Sequence, residues 1–270
     1  MKKLSIGITG ASGSLGQELL KNKRFNFIKY NNDIRSKSDL KKWFKNNQFD
    51  AMIHLAAIVP IKNVNSNKKK AYNVNFIGTK NLLDLVSEYE VNWFFFASTS
   101  HVYSSKNNKI SENQNSKPVS YYGFTKKKSE NYIIHKLKNS KVKYCIGRIF
   151  STSNANQKKN YLVPDLKKKI KNSKNNLILK NLNHFRDFIS MKDISKIIFF
   201  LYQKKFKGII NLGTGKKVHL KKIANIIAKK YKKRIIFDDN KKATYLVANI
   251  IKLKKIYKKK IDVNLKKMIF

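Results

Sequence analysis

The sequence predicts an α/β fold built on a doubly wound parallel sheet, with a smaller C-terminal lobe. Three observations predict it. Short apolar runs alternate with amphipathic segments through the first 150 residues. The most apolar run, at 91–97 (VNWFFFA), lacks the in–out alternation of a half-exposed strand, as expected of one covered on both faces. A glycine-rich turn directly follows the first apolar run.

Taken in order, residues 4–9 read as a buried strand, 15–21 as the first helix and 25–30 as a short second strand. Leu40, Trp43 and Phe44 recur at helical spacing within 38–46. A third buried strand is expected at 50–55 and a long helix at 67–89. After the strand at 91–97, the break at Pro118 precedes a helix over 120–137, and 142–150 returns to strand. Beyond 150 the rhythm shortens. Helices near 161–172, 191–205 and 219–231 alternate with strands at 177–179, 208–212 and 234–237. No Pro/Gly linker and no internal repeat divides the chain.

Composition narrows the function classes. The chain has 270 residues, 41% of them hydrophobic, enough for a sizeable core despite a formal charge of +45. Of 60 basic residues only five are Arg (24, 35, 148, 186, 234), and Lys is spread along the whole chain. With Asn also abundant, this reads as coding bias on a solvated surface, so nucleic acid is expected to bind non-specifically at most. One cysteine, Cys145, excludes a disulfide framework. Five scattered His residues (54, 101, 135, 184, 219) give no metal-ligand spacing, and no metal is expected. No apolar run approaches the roughly 18–20 residues of a membrane span. Polar residues from Thr9 onward interrupt the leader-like start at Lys2-Lys3, so a cytoplasmic protein is expected.

Three motifs carry chemistry. The first, Thr9-Gly10-Ala11-Ser12-Gly13-Ser14-Leu15-Gly16, joins a strand to a helix, the Rossmann-like context in which glycines let the backbone approach a pyrophosphate. The second is Tyr122-Gly123-Phe124-Thr125-Lys126, which puts a phenol and an ammonium on one helix face. A cation one turn away is expected to lower the cost of ionising the phenol. The third, Ala97-Ser98-Thr99-Ser100-His101-Val102-Tyr103, stands at the C-terminal end of the central strand, where open α/β sheets place their sites.

In this order the three motifs resemble the extended short-chain dehydrogenase/reductases, the NAD(P)-dependent sugar-nucleotide epimerases, dehydratases and reductases. Further segments agree: Asp33-Ile34-Arg35, Asp50 through Ala57, Asn75-Phe76-Ile77-Gly78-Thr79, Arg186-Asp187-Phe188-Ile189 with Asp193, and Asn211-Leu212-Gly213-Thr214-Gly215. The resemblance covers roughly residues 3–230 and implies NAD or NADP as cofactor.

It also implies site roles. Thr99 is the catalytic hydroxyl, Tyr122 the acid/base and Lys126 its partner. Gly10, Ser12, Gly13, Ser14, Leu15 and Gly16 hold the pyrophosphate side of the cofactor. Asp33 and Ile34 stand on its adenine side, while Leu55, Ala56, Ala57 and Asn75 line or order the rest, beside Tyr122 and Lys126. Thr99, His101 and Arg186 face substrate, with Arg186 clamping the diphosphate; the alternative for Arg186 is a surface pair with Asp187. His54 and Cys145 read as packed strand residues, and His184 is a second histidine near a motif. Where the family's 4,6-dehydratases carry Thr-Asp-Glu, this chain has Thr99-Ser100-His101, which argues against elimination of water.

The implied organisation is a dinucleotide domain of residues 1–150, with 188–214 contributing, and a substrate lobe of 151–187 and 215–270. The function expected first is epimerisation of a nucleotide sugar through a keto intermediate. The rival is an NAD(P)H-dependent reductase of a nucleotide-linked 4-keto sugar, similar to a dTDP-4-dehydrorhamnose reductase. A third reading is a non-catalytic regulatory or nucleic-acid-binding member of the fold. Polysaccharide biosynthesis is the expected setting, and a homodimer a further expectation.

Overall fold

A computed structural model describes residues 3–59, 61–154, 157, 161–174 and 176–270; the leader-like Lys2 lies outside them. Five parallel strands build most of the main sheet: β1 (Ser5–Thr9), β2 (Asn26–Tyr30), β3 (Ala51–His54), β4 (Trp93–Thr99) and β5 (Lys143–Ile149). Five short strands follow: β6 (Ser151–Ser153), β7 (Leu177–Lys180), β8 (His184–Arg186), β9 (Phe188–Ser190) and β10 (Gly208–Leu212), the last returning to the main sheet beside β5. The strand order is β10-β5-β4-β3-β1-β2, all parallel. This is the doubly wound α/β arrangement expected. Its topological switch lies between β1 and β3, where such sheets open a crevice at the strands' C-terminal ends. Only β2 lies beyond β1, so the sheet edge comes close to the switch point.

The sheet is buried on both faces, as its apolar runs require. Trp93 and Phe95 pack with Ile6, Ile8 and the helix Met191–Gln203 on one side. Phe94 and Phe96 pack with Leu82, Val86 and Ile133 on the other. Cys145 is fully buried in β5. The helices that position the site are α1 (Ser14–Leu19), α2 (Lys37–Lys45), α3 (Ile61–Ser66), α4 (Lys68–Tyr72), α5 (Gly78–Glu88) and α6 (Tyr121–Lys136).

The single helix expected over 67–89 is divided. Between α4 and α5 stands a π-helical turn, Asn73–Ile77, which turns the buried Asn75 inward. The backbone oxygen of Asn75 accepts the Thr79 and Ser129 hydroxyls, so the widened turn leaves that carbonyl paired. Beyond the strand expected at 234–237 the chain forms further elements that no pattern announces. There β13 (Thr244–Leu246), which follows β11 (Val218–His219) and β12 (Ile235–Asp238), joins β8 and β11 in a three-stranded sheet. No described helix is long and apolar enough to cross a membrane.

Candidate active site

At the switch point the first motif makes a tight turn. Gly10 has φ +70, and an added Cβ there would stand 2.6 Å from the Ala56 backbone nitrogen. Gly16 is as confined, since a Cβ would lie 2.6 Å from the carbonyl oxygens of Gly10 and Ala11. Gly13 caps α1 in extended conformation, with its N–H donating to the Gly10 carbonyl oxygen at 3.1 Å. The only atom near an added Gly13 Cβ is that oxygen, at 3.2 Å, so a side chain would project into the open cradle above the turn. A cradle kept clear of side chains, with helix N–H groups beside it, fits the pyrophosphate of a dinucleotide.

The turn borders a cavity of about 500 Å³. The walls bring together Gly10, Gly13, Ser14, Leu15 and Gly16 with Leu55 and Ala57 after β3. They also include Thr99 and His101 at the end of β4, Tyr122 on α6, and Arg186 on β8. Ser12, Asp33, Ile34, Ala56, Asn75 and Lys126 do not border it. Asp33, half-exposed after β2, is tied to Arg35, which holds its carboxyl down at about 2. Ile34 packs where Gly78 leaves room for it, in the cluster between α2 and α5. Asn75 works from behind: its Oδ1 accepts the Ile58 N–H (2.7 Å), and its Nδ2 donates to the Ile58 carbonyl (3.0 Å) and the Thr125 hydroxyl (3.2 Å). It thus ties the loop after β3 to α6.

Helix α6 begins where Ser120 Oγ accepts the Gly123 N–H at 3.0 Å. Gly123 stands inside the second motif, and its role emerges only in the fold. Its missing Cβ is what lets α6 lie against the His101 backbone, and that contact sets Tyr122 beside the third motif. A glycine inside a helix, costly for propensity, was the available signal.

The electrostatics differ from expectation. The phenol of Tyr122 is not lowered: burial, then nearby Tyr161, pushes it up. Lys126, 1% exposed with its Nζ 3.9 Å from the Phe96 ring centroid, is itself pulled down to about 7 by burial, with Glu130 opposing. Removal from water therefore dominates at both groups, and the charge that acts on the phenol comes from Tyr161 instead of the cation one turn away. In this environment the phenol is an O–H that donates.

Below the site Glu130, four residues beyond Lys126, is fully buried. It accepts Arg148 Nε (3.0 Å) and Nη2 (2.7 Å) and the Ser98 hydroxyl (2.5 Å). Arg148 Nη1 donates to Tyr103 Oη (2.8 Å), which donates to Asn211 Oδ1 (2.7 Å). This network holds residues on both sides of Thr99; Ser98, Tyr103 and Asn211 stand in the motifs, while the Glu130–Arg148 pair at its centre stands in none.

Arg186 does not pair with Asp187. Its Nη1 donates to the carbonyls of Phe185 (2.8 Å) and Thr244 (3.1 Å), and burial lowers the guanidinium to about 10. Asp187 faces away and accepts the N–H groups of Thr214 (2.8 Å), Gly215 (2.8 Å) and Ala248 (3.2 Å) and the Thr214 hydroxyl (2.6 Å). Buried His54 is satisfied by Thr9 Oγ1 (2.6 Å) and Thr79 Oγ1 (2.8 Å), the contacts of a packed neutral ring. His184 bonds Thr244 and does not border the cavity. Lys62, Thr152, Tyr161 and Met191 also border it; the first three come from segments without a motif, and Met191 is an unspecified position between Ile189 and Asp193 of the Arg186 segment, so only the tertiary structure brings them in.

Comparisons with known proteins agree with this geometry. The family model of GDP-mannose 4,6 dehydratase matches residues 6–267. GDP-6-deoxy-D-talose 4-dehydrogenase of Aggregatibacter actinomycetemcomitans is 30% identical over 224 residues, spanning 78% of this chain and 75% of that protein. Among solved structures, the Thermus thermophilus UDP-glucose 4-epimerase complex with NAD superposes with TM-score 0.87 at 17% identity, covering 98% of this chain and 96% of that one. RMD from Pseudomonas aeruginosa complexed with NADPH gives TM-score 0.89 at 17% identity, covering 99% and 96%. At that identity the structures bear on the fold; the family model and the relative bear on descent. The chain therefore belongs to the GDP-mannose 4,6 dehydratase family, the NAD(P)-dependent sugar-nucleotide epimerases and dehydratases of the extended short-chain dehydrogenase/reductase type.

Proposed function

We propose that this protein epimerises a nucleotide sugar at a hydroxyl-bearing carbon through a keto intermediate. The observation that carries this reading is the common cavity, with the glycine cradle, Thr99, Tyr122 and Arg186 on its walls. Gly10, Gly13 and Gly16 would hold the nicotinamide cofactor in the cradle, where it would supply hydride uptake and return. The protein's part is orientation and proton handling. Thr99 and Tyr122 hydrogen-bond the reacting oxygen, and Tyr122 moves its proton. Lys126 neutralises the charge left on the phenolate, its own proton held in place by Glu130. Arg186, planar and partly desolvated, suits a diphosphate. The domain boundaries follow the same division: residues 1–150 with 188–214 hold the cofactor, and 151–187 with 215–270 hold the substrate.

A second reading is supported by the 30%-identical dehydrogenase: net reduction or oxidation at the sugar's 4-position, with the cofactor exchanging each turn. One experiment separates them. Under the first reading the purified protein carries dinucleotide and interconverts a nucleotide sugar without added reductant. Under the second, turnover consumes a stoichiometric amount of added cofactor, NAD(P)H for reduction or NAD(P)+ for oxidation. Gly13→Val tests the cradle itself, because the isopropyl group would occupy the pyrophosphate position. Unchanged NAD(H) and NADP(H) affinity in the folded variant would overturn the cofactor assignment.

A further inference from the structure

Glu130 stands four residues beyond Lys126 on α6, the spacing at which a carboxylate and an ammonium pair on a helix. Here they do not pair. Among the described residues no carboxylate lies within 4 Å of Lys126 Nζ, which rests on the Phe96 ring instead. Both Glu130 oxygens are turned toward β4 and β5. Oε1 accepts the Ser98 hydroxyl and Arg148 Nε, and Oε2 accepts Arg148 Nη2. Lys127 Nζ also approaches Oε2, at 3.6 Å, beyond hydrogen-bond distance. Arg148 is held from behind in turn. Its Nη1 donates to Tyr103 Oη and to the Glu112 carbonyl (3.2 Å), and its guanidinium carbon lies 4.7 Å from the Tyr103 ring centroid. Arg is rare in this chain, five of 60 basic residues, and this position uses what Lys lacks: a fork that takes both carboxylate oxygens at once. The titratable groups around Lys126 are Tyr122 and Glu130 on its own helix, His54 from β3 and, behind Glu130, Arg148 from β5. His54 is neutral, so Glu130 is the anion that acts on the ammonium, and it does so without touching it.

We propose that Arg148 is a positioning residue for Lys126: by forking onto Glu130 it keeps that carboxylate out of contact with the ammonium, whose charge stays uncommitted for the phenol of Tyr122. The role rests on the proton handling assigned above to Tyr122 and Lys126. A direct contact with Glu130 would neutralise the ammonium where a phenolate needs it. At its present separation Glu130 favours the protonated amine against burial and leaves the charge uncancelled.

The test removes the fork. A crystal structure of Arg148→Met is expected to show a Glu130 oxygen on Lys126 Nζ. Turnover that needs a charged Lys126 falls as pH rises through the lysine's pKa. A touching carboxylate raises that value, so the alkaline limb of kcat should move up by roughly 1–3 pH units. On the plateau kcat should fall roughly tenfold, less than the 10²–10⁴ of losing an acid/base outright. In Glu130→Gln/Arg148→Met both charges leave together and nothing remains to capture Lys126. There kcat should recover and the limb should return toward its wild-type position, a rescue that a merely structural pair would not give. Arg148→Lys serves where Arg148→Met does not fold. It keeps the charge but offers one point in place of the fork, and a smaller upward shift of the limb is expected. Glu130 found off Lys126 in the crystal structure of Arg148→Met, a double variant as slow as the single one, or a limb unmoved in Arg148→Lys overturns the role of Arg148. Absence of wild-type turnover across a panel of nucleotide sugars overturns the reading on which it rests, while the crystal structure still decides the contact.

Discussion

The main sheet and the C-terminal lobe hold their parts of the site by different means. In the sheet, β4 and β5 pair over seven residues each, from Trp93↔Lys143 to Thr99↔Ile149, between two apolar layers. Thr99 is thus placed by a continuous backbone ladder. In the lobe, β8, β11 and β13 contribute two or three residues each. Such short pairings fix little alone. Arg186 is placed instead by side-chain bonds: its own to Thr244 and those of Asp187 to Thr214, Gly215 and Ala248. Under the proposed function, the rigid ladder would carry the groups that meet the reacting atom, and the lobe tied at a few polar points would carry the grip on the substrate.

The largest effect should come from the sheet side. Tyr122→Phe is expected to lower kcat by roughly 10²–10⁴ while cofactor affinity is retained, as measured by steady-state kinetics and dinucleotide titration. Near-full activity on the identified sugar would remove Tyr122 from the chemistry and leave the sheet a scaffold only.

Asp187→Asn sharpens the other half. The isosteric amide offers one acceptor oxygen where the carboxylate offers two, and it sets an NH2 against backbone N–H donors. A loss of about 1.5–3 kcal/mol is expected, the range for hydrogen bonds to a charged group, seen as a lower denaturation midpoint. KM for the nucleotide sugar should rise more than kcat falls, because Arg186 is the neighbouring residue. Equal stability would mean the lobe is held by its apolar core, around Leu166, Ile170 and Ile223, without the polar anchor.

The smallest effect is a pH dependence of stability. His54 is pushed well below its usual 6.5, and His101 to about 4, both chiefly by burial. The unfolded chain therefore binds more protons than the folded one below about 6.5, and stability rises with pH in that window. It is full above 6.5 and is lost as pH falls toward 4. Urea midpoints at pH 7.5 and 5.0 should differ in that direction, and by less in His101→Gln. An equal drop in the variant would show that His101 is more open to water than its surroundings suggest.

The division between what was legible and what was not follows the same boundary. The sheet could be read because its determinants are local: apolar runs, a glycine turn after a strand, and a Tyr–Lys pair at helical spacing. The motif residues that border the cavity do so because the strand ends and the start of α6 carry them there. Glu130, Arg148, Tyr103 and Asn211 were invisible as a set, since they stand up to 108 residues apart and meet only when the sheet closes. Short strands such as β11, two residues long, carry no periodicity to detect. By itself the sequence determined the family, the sheet and the chemical types brought to the site. Only the tertiary structure decided the protonation. In water a cation one turn away lowers the cost of ionising a phenol, but Tyr122 and Lys126 are buried on the inner face of α6, Lys126 against Phe96, and lose their solvent. Desolvation then pushes the phenol up and the ammonium down, opposite to what spacing alone implied.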